Sequence, residues 1–432
     1  MSTRASVLLA SINGKPVGSL RDENGVWSFE YAGPWIDAVE GFDLAPGLPR
    51  AAQKIVDGGT HRPVQWFFDN LLPEEAAREL LARDAQIPSA DAFGLLAWYG
   101  RESAGAITLL PPGETPPASG YVSLTDEELH ERIARLPRHA LASGAPKRMS
   151  LAGAQHKMAV SIRDGQLVHP VGDSPSTHIL KPDHKDTDFY PSSAANEYFT
   201  MRLADRMGLR VPPVELRFVP DPVYLIERFD RRIVDTQVQR LHVVDACQLL
   251  GLDRSFKYQQ SRWDTLVRCI ELCQNRARTR QSLLAWTLFN LMVGNGDAHL
   301  KNISFMVTPA GIELAPFYDL VSTECYRAEI GNMPRWPAIA LTMPIGNADT
   351  FGAVTREDFS RFAAELGSTR RAALRLVDEY CDKLERNAAL LYDEFEQLPI
   401  ANPLERAGAL RTLSKIRFAA IRDMAMRLGR SH

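Results

Sequence analysis

The chain has 432 residues, of which 45% are hydrophobic and 24% are charged. This length suggests two or three domains, and the composition excludes a disordered, fibrous or small disulfide-stabilised protein. The 50 Lys and Arg residues are balanced by 53 Asp and Glu residues, so the formal charge is -3. Because no overall positive charge is available for a nucleic-acid backbone, DNA contact is expected only locally or through a partner.

The apolar segments of the chain do not indicate export or insertion into a membrane. The apolar run at 7–10 is too short for a signal peptide, and the longest apolar segment, 283–293, is too short to span a membrane. The five cysteines include no C-x-x-C pair and indicate reduced packing residues. We therefore expect a cytoplasmic protein without membrane contact.

The first part of the chain alternates short strand-like runs with turns. Strands are predicted over 6–12, 16–20 and 26–31, and a helical region opens at residues 70–75, where a turn, a proline and two glutamates mark a helix start. The run PPGETPPASG that ends at Gly120 suits neither helix nor sheet. We therefore predict a β-rich module over residues 1–112 and a linker over 113–120.

The remaining chain changes from β-rich to helical composition. A capping box, Thr125-x-x-Glu128, predicts a short helix, and residues 121–230 then form a β-rich lobe that contains one helix at 194–207. Residues 231–432 are predicted as a helical lobe, with one hairpin that pairs 303–307 with 312–314. The fold class is α+β.

Three polar residues flank that hairpin in an order that indicates phosphoryl transfer. Asp297 follows the end of a buried helix, Asn302 comes five residues later, and Asp319 follows the hairpin. Because a hairpin returns the chain beside its start, these side chains should meet in one place. Two carboxylates and an amide suit Mg²⁺ and phosphates, and kinases use this Asp, Asn, Asp order for the base and the two metal ligands. A protein-kinase-like two-lobed fold with an added N-terminal module follows.

The β-rich lobe carries the matching candidates for nucleotide binding. Residues 150–157 are mostly small and would let backbone N–H groups approach phosphates. Lys181 lies on a later strand and can reach phosphates while it pairs with Glu197 of the lobe's helix. Residues 227–231 lie at the switch between lobes, where a hinge strand would meet an adenine ring.

Together these motifs resemble the HipA toxin kinases of bacterial HipBA toxin–antitoxin modules. The resemblance rests on SLAGAQHK at 150–157, THILK ending at Lys181, ERFDRR beginning at Glu227, GDAHLKN at 296–302 and FYD ending at Asp319. FDNLLP at 68–73 and ITLLP at 107–111 resemble the N-terminal subdomain of that family. The likeness therefore spans nearly the whole chain.

The resemblance implies an ATP- and Mg²⁺-dependent serine/threonine protein kinase. It implies that Asp297 is the catalytic base, that Asn302 and Asp319 are magnesium ligands, and that Ser150 is an autophosphorylated, inactivating site. It implies nucleotide contacts by Ala152, Gly153, Ala154, Gln155, His156, Lys157, Lys181, Glu227, Arg228, Phe229, His299, Lys301, Asn302, Tyr318 and Asp319.

Substrate and partner expectations come from the same resemblance. It implies a protein serine as acceptor, on an aminoacyl-tRNA synthetase and above all on glutamate-tRNA ligase, with growth arrest and persistence as the outcome. It also implies a small helix-turn-helix antitoxin of the HipB kind, through which the chain would reach DNA. This agrees with the formal charge of -3.

Two other interpretations stay open at the level of sequence. The spacing Asp-x-His-x-x-Asn is closer to phosphoinositide, aminoglycoside or choline kinases than to ordinary protein kinases, which suggests a lipid or small-molecule kinase. A pseudokinase that acts only as partner of a DNA-binding antitoxin is the non-enzyme alternative. The joint presence of Lys181, Asp297 and Asp319 argues against a pseudokinase, because a scaffold needs none of them.

Overall fold

The computed structural model of the chain describes residues 7–115, 117–149, 151–153, 155–235, 237–326 and 336–429. A β-rich N-terminal module is followed by a β-rich lobe and then by a helical lobe. This order confirms the predicted α+β class. Over the described ranges, no helix is both long and apolar enough to cross a membrane.

The N-terminal module is built on a five-stranded antiparallel sheet in the order β4-β3-β2-β1-β5. Two-residue turns at Asn13-Gly14 and Asn24-Gly25 have positive φ at both positions and join the first three strands as tight hairpins. Its strands are β1 (Val7–Ile12), β2 (Lys15–Glu23), β3 (Val26–Tyr31), β4 (Lys54–Val56) and β5 (Ile107–Leu110). Its helices are α1 (Gly33–Asp37), α2 (Pro63–Asp69), α3 (Glu75–Ala85) and α4 (Ala92–Tyr99).

The β-rich lobe has a six-stranded antiparallel sheet in the order β10-β11-β9-β7-β8-β6. Its strands are β6 (Gly120–Ser123), β7 (Met158–Arg163), β8 (Gln166–Val171), β9 (His178–Pro182), β10 (Val214–Phe218) and β11 (Pro222–Glu227). Helices α5 (Asp126–Ala134) and α6 (Ser193–Arg206) belong to this lobe. The Thr125 side chain accepts a hydrogen bond from Glu128 N and caps α5. Gly120, the last residue of the predicted linker, already belongs to β6.

The helical lobe surrounds α9, whose C-terminal half is buried. Its helices are α7 (Ala246–Leu250), α8 (Trp263–Leu272), α9 (Arg276–Val293), α10 (Arg356–Glu365), α11 (Arg370–Glu396), α12 (Pro403–Lys415) and α13 (Arg422–Leu428), with a π-helical turn over Ile416–Ile421 between the last two.

The expectation that the helical lobe contains a single hairpin was wrong. The strands of the helical lobe are β12 (Arg231–Val234), β13 (Gln237–Arg240), β14 (Val243–Asp245), β15 (Ser304–Thr308), β16 (Gly311–Leu314), β17 (Ala340–Ile345) and β18 (Ala348–Thr350). The predicted hairpin is β15–β16, and β14 adds a third strand to it. The other strands were missed because segments of three to six residues are too short to show a periodicity.

The two lobes and the module do not each have a separate core. One apolar core runs from Leu8 in the N-terminal module to Leu428 in α13, whereas a smaller core from Leu124 to Leu225 fills the β-rich lobe. The N-terminal module is therefore packed as a part of the helical lobe. Residues of the N-terminal module and of both lobes line one cavity, which we call the cleft.

Candidate active site

Asp297 is held by the turn that ends α9. Gly294 closes the helix with a left-handed φ of 68°, and the next residue, Asn295, uses its side chain twice. Its Nδ2 donates to Asn290 Oδ1 at 2.7 Å, and its Oδ1 accepts from Asp297 N at 3.0 Å. The backbone of Asp297 is therefore fixed, whereas its side chain is 48% exposed in the cleft.

Asn302 and Asp319 reach the same cleft from either end of the hairpin. Asn302 Nδ2 donates to the backbone oxygen of Asp297 at 2.9 Å, which directs its amide oxygen away from that contact. Asp319 follows β16 and has a left-handed φ of 57°, a conformation that costs energy in a residue other than glycine and is concentrated at functional sites. All three residues line one cavity of about 530 Å³. The convergence expected from the hairpin is thus observed.

Lys181 links the two lobes across this cavity. From β9 its Nζ donates to Glu197 Oε1 on α6 at 2.7 Å and to Asp319 Oδ1 at 2.5 Å. Burial alone would lower the pKa of Lys181, but the Asp319 and Glu197 carboxylates outweigh it and raise this pKa above its ordinary value. Burial would raise the pKa of Asp319, but Lys181 and Lys157 hold it at about 2. Asp319 is therefore ionised at neutral pH.

The loop of mostly small residues at 150–157 contributes to the wall of the cavity. Ala152, Gly153, Gln155 and Lys157 line it, whereas Ser150 and Ala154 lie outside the described residues. Gly153 has a φ of 102°, and a Cβ built on it would lie 2.5 Å from Lys157 Nζ. Lys157 Nζ donates to the Ala152 oxygen at 2.8 Å. Burial and the neighbouring Lys181 lower the pKa of Lys157 to about 8.

His156 faces a different space. It lines a small cavity of about 30 Å³ together with Ala77 and Leu80 of α3. Burial and the nearby His184 lower its pKa. The expected nucleotide contact of its side chain is therefore not supported by its position.

Two aromatic rings lie at the hinge end of the cavity. Phe229 and Tyr318 have ring centroids 5.6 Å apart and planes tilted by 31°, and Glu227 at the end of β11 lies beside them. The Tyr318 hydroxyl donates to the Lys301 backbone oxygen at 2.6 Å and also contacts Ser304 Oγ at 2.7 Å. The two rings contact each other and give this end of the cavity an aromatic wall, which suits an aromatic ligand.

Arg228 and Lys301 border the same cavity, but protein acceptors use their charged ends. Arg228 directs its N–H groups to Asp230, Glu102, Ser176 and the Ser103 carbonyl. Lys301 Nζ donates to Asp245 Oδ2 at 2.5 Å and to the side-chain and backbone oxygens of Asn70 at 2.7 and 3.2 Å. The three donors of the ammonium group are thereby used. Any nucleotide contact by these two residues must come from their backbone or aliphatic atoms.

Two parts of the site were missed by the sequence analysis. Asn70 and Glu74 of the N-terminal module line the cavity, and Glu74 Oε2 accepts from Lys257 Nζ at 2.5 Å. Tyr258 donates its hydroxyl to Asp297 Oδ1 at 2.7 Å. The glutamates at 74 and 75 were interpreted only as a helix start, and Tyr258 belongs to no recognised motif. Contacts that join residues 39 to 231 positions apart leave no local signal in one sequence.

The donor set fits a magnesium ion that is shared with phosphates. In the parts of the chain described here, no three His, Cys, Asp or Glu side chains are grouped so as to hold a metal ion alone. Asn302 and the ionised Asp319 offer two oxygen ligands on one side of the cleft. Mg²⁺ commonly takes one or two protein ligands and completes its shell with phosphate oxygens and water. The predicted ligands therefore match this mode of binding.

Comparison with known families agrees with this architecture. Residues 8–110 match the HipA N-terminal domain, and residues 149–388 match the HipA-like C-terminal domain. The chain is 34% identical to Y4mE of Sinorhizobium fredii, a protein named as a kinase, over 87% of this chain and 90% of that protein. It is 34% identical to the serine/threonine-protein kinase toxin HipA of Shewanella oneidensis over 66% of this chain and 68% of the toxin.

A solved structure extends the similarity to the whole fold. The chain superposes with a TM-score of 0.80 and 26% identity on a chain of the Shewanella oneidensis complex of HipA, HipB and operator DNA, covering 98% of this chain and 97% of the other. The two matched domains include all the residues that line the cleft from Asn70 to Tyr326. The chain belongs to the HipA family of serine/threonine-protein kinase toxins.

Proposed function

We propose that this kinase transfers the γ-phosphate of ATP, in the presence of Mg²⁺, to a serine hydroxyl of a protein. The observation that carries the proposal is the convergence of Asp297, Asn302, Asp319 and the Lys181–Glu197 ion pair on one cavity. A phosphotransfer site needs a base, metal ligands and a phosphate-directed cation in this arrangement. A pseudokinase would not require this set of paired charges.

Each residue has a distinct proposed role. The acceptor oxygen attacks the γ-phosphorus, the bond to the β–γ bridging oxygen breaks, and Asp297 accepts the hydroxyl proton. Lys181 and the loop from Ala152 to Lys157 bind the phosphates, while Asn302 and Asp319 would hold Mg²⁺. When bound, Mg²⁺ would neutralise phosphate charge. Phe229 and Tyr318 would form an aromatic wall beside the adenine ring, with backbone groups at Glu227 and Arg228 along its edge.

The proposed acceptor is an aminoacyl-tRNA synthetase, in the first place glutamate-tRNA ligase. Family membership supports this choice. Transfer to that enzyme would stop aminoacylation and lead to growth arrest and persistence.

The proposed partner is a small helix-turn-helix antitoxin of the HipB kind. The similar HipA of Shewanella oneidensis was solved together with HipB and operator DNA, and the similarity covers nearly the entire chain. Because the formal charge of this chain is -3, we propose that it reaches DNA through the antitoxin. Autophosphorylation of Ser150 is the proposed inactivating step, since a phosphate there would repel the nucleotide.

The test is transfer from labelled ATP to purified glutamate-tRNA ligase, with and without its tRNA. The wild-type kinase should label the ligase, whereas Asp297→Asn should lose transfer by several orders of magnitude and retain Mg-ATP binding in calorimetry, because only proton acceptance is removed. Asp349→Asn, an exposed aspartate on β18, is the matched control and should behave as wild type.

The outcomes separate the parts of this proposal. Formation of ADP without labelling of the ligase would reject glutamate-tRNA ligase as the acceptor, whereas the kinase activity would stand. Wild-type turnover in Asp297→Asn would reject the assignment of Asp297 as the base. Mass spectrometry after incubation with ATP should find phosphate on Ser150, and an inactive product without it would reject self-inactivation at that residue.

A further inference from the structure

Tyr258 contacts the proposed base although it lies outside every motif of the family resemblance. It is in the irregular segment between α7 and α8, and its side chain is only partly covered, since the residue is 43% exposed. A tyrosine at a protein surface normally turns its hydroxyl to water. Here the hydroxyl points into the cleft and donates to Asp297 Oδ1 at 2.7 Å.

The Asp297 carboxylate needs such a contact because its backbone bonds do not fix its side chain. The backbone N–H and C=O of Asp297 are held by Asn295 and Asn302. The His299 ring nitrogen Nε2 lies 3.9 Å from Asp297 Oδ1, which is beyond hydrogen-bonding distance. Tyr258 therefore supplies a hydrogen bond that can select the side-chain rotamer of the base.

Tyr258 is itself held in place from two sides. Its ring packs edge-on against His299 with centroids 5.0 Å apart and an interplanar angle of 76°. The Lys257 ammonium lies 4.9 Å from the ring centroid, and Glu74 of the N-terminal module anchors that ammonium at 2.5 Å. A fixed donor at a reacting group is a form of preorganisation. These contacts therefore hold the Tyr258 hydroxyl in a fixed position beside the base.

We propose that Tyr258 is a positioning residue that holds Oδ1 of Asp297, so that Oδ2 faces the acceptor hydroxyl. The proposal rests on the role of Asp297 as base in the proposed function. Tyr258 takes no proton and forms no bond with the phosphate. Its effect is on the geometry of proton acceptance, which contributes to the rate of transfer and leaves ATP binding unchanged.

The test compares steady-state ADP formation by the full chain and by Tyr258→Phe, which keeps the ring and removes only the hydroxyl. We expect kcat to fall about tenfold, the loss associated with one hydrogen bond to a charged group, while KM for ATP changes less than about twofold. Tyr121→Phe is the matched control, because the Tyr121 hydroxyl donates to the Pro175 carbonyl in the β-rich lobe. It should keep the wild-type kcat.

A double-mutant cycle separates positioning from a general structural role. Added to Asp297→Asn, Tyr258→Phe should cause no further loss, because the group that it positions is already changed. An equal loss in both backgrounds, or a wild-type kcat in Tyr258→Phe alone, would overturn the positioning role. Phosphate found on Tyr258 would show that it is an acceptor instead. Absence of ADP formation by the wild-type chain would reject the proposed kinase function. That outcome is distinct from the results that reject only the positioning role of Tyr258.

Discussion

Gly153 shows how one residue of the small-residue loop at 150–157 meets two requirements at once. Its φ of 102° lies in a region that side chains rarely adopt, and its missing side chain leaves the space that Lys157 Nζ occupies. Lys157, which fills this space, and Lys181 both line the cavity. The loop sequence is therefore constrained by sterics as well as by its proposed contact with phosphates.

Gly153→Ala should weaken nucleotide binding more than it weakens the fold. The new Cβ would force the Lys157 ammonium away from the loop and strain the backbone, so we expect the Kd for Mg-ATP to rise roughly tenfold, with a stability loss of about 1–2 kcal/mol. Titration calorimetry with Mg-ATP and thermal unfolding measure the two effects. Gly165→Ala, in the β7–β8 turn with a φ of 79° and open space around its Cβ, is the control for backbone strain alone. Equal ATP affinity in both variants would contradict this role of Gly153.

At the scale of elements, long segments were predictable and short or distant ones were not. The buried helix predicted before Asp297 exists as α9. It begins at Arg276, where the Asn275 side chain caps it by accepting from Arg278 N. The β15–β16 hairpin and the meeting of Asp297, Asn302 and Asp319 followed from residue order alone. Toward the C-terminus, the π-helical turn at Ile416–Ile421 lies between α12 and α13.

The start of α3 shows why the rest of the site was hidden in the sequence. Residues 70–75 were correctly interpreted as a turn before a helix, yet the same segment pairs with Lys257 and Lys301 of the helical lobe. Asn70 and Lys301 are 231 residues apart. Only tertiary packing brings them together, so their partnership could not be predicted from local patterns.

Glu74→Gln tests whether the start of α3 supports the segment that carries Lys257 and Tyr258. The carboxylate is buried, Lys257 pairs with it at 2.5 Å, and Lys301 lies 3.7 Å away. Loss of its charge should lower the free energy of unfolding by about 1–3 kcal/mol and should reduce kcat, because Lys257 adjoins Tyr258. Glu75→Gln is the matched control, since the Glu75 side chain is 62% exposed and lies 3.5 Å from the same lysine. Similar effects of both substitutions on unfolding and on kcat would argue against a special role for Glu74.

At the scale of the molecule, one buried charge cluster connects all the parts that border the cleft. Glu102 of the N-terminal module contacts four cations, and Asp230 at the hinge is the second carboxylate. The cations are Lys147, Arg228, Arg231 and Arg240. Burial would raise the pKa of Glu102, but these cations hold it well below its ordinary value. Glu102 therefore stays ionised in the core.

Glu102→Gln should be strongly destabilising. It would leave four cations opposed by Asp230 alone, and removal of one partner from a buried ion pair costs about 3–5 kcal/mol. Denaturant unfolding should show a large drop in midpoint. The control is Glu215→Gln, since Glu215 forms an exposed pair with Arg217 that is worth no more than about 1 kcal/mol. A loss of less than about 1 kcal/mol in Glu102→Gln would show that water or rearrangement compensates the cluster.

The contacts between the N-terminal module and the kinase lobes also limit how relatives of this protein can exchange parts. A hybrid that joined the module of one relative to the kinase lobes of another would have to match Glu102 to its arginines and Asn70 to Lys301 at the same time. A mismatch at either place would leave buried charges without partners. The module and the lobes are thus expected to change together, as one inherited unit, and not as separately exchangeable parts.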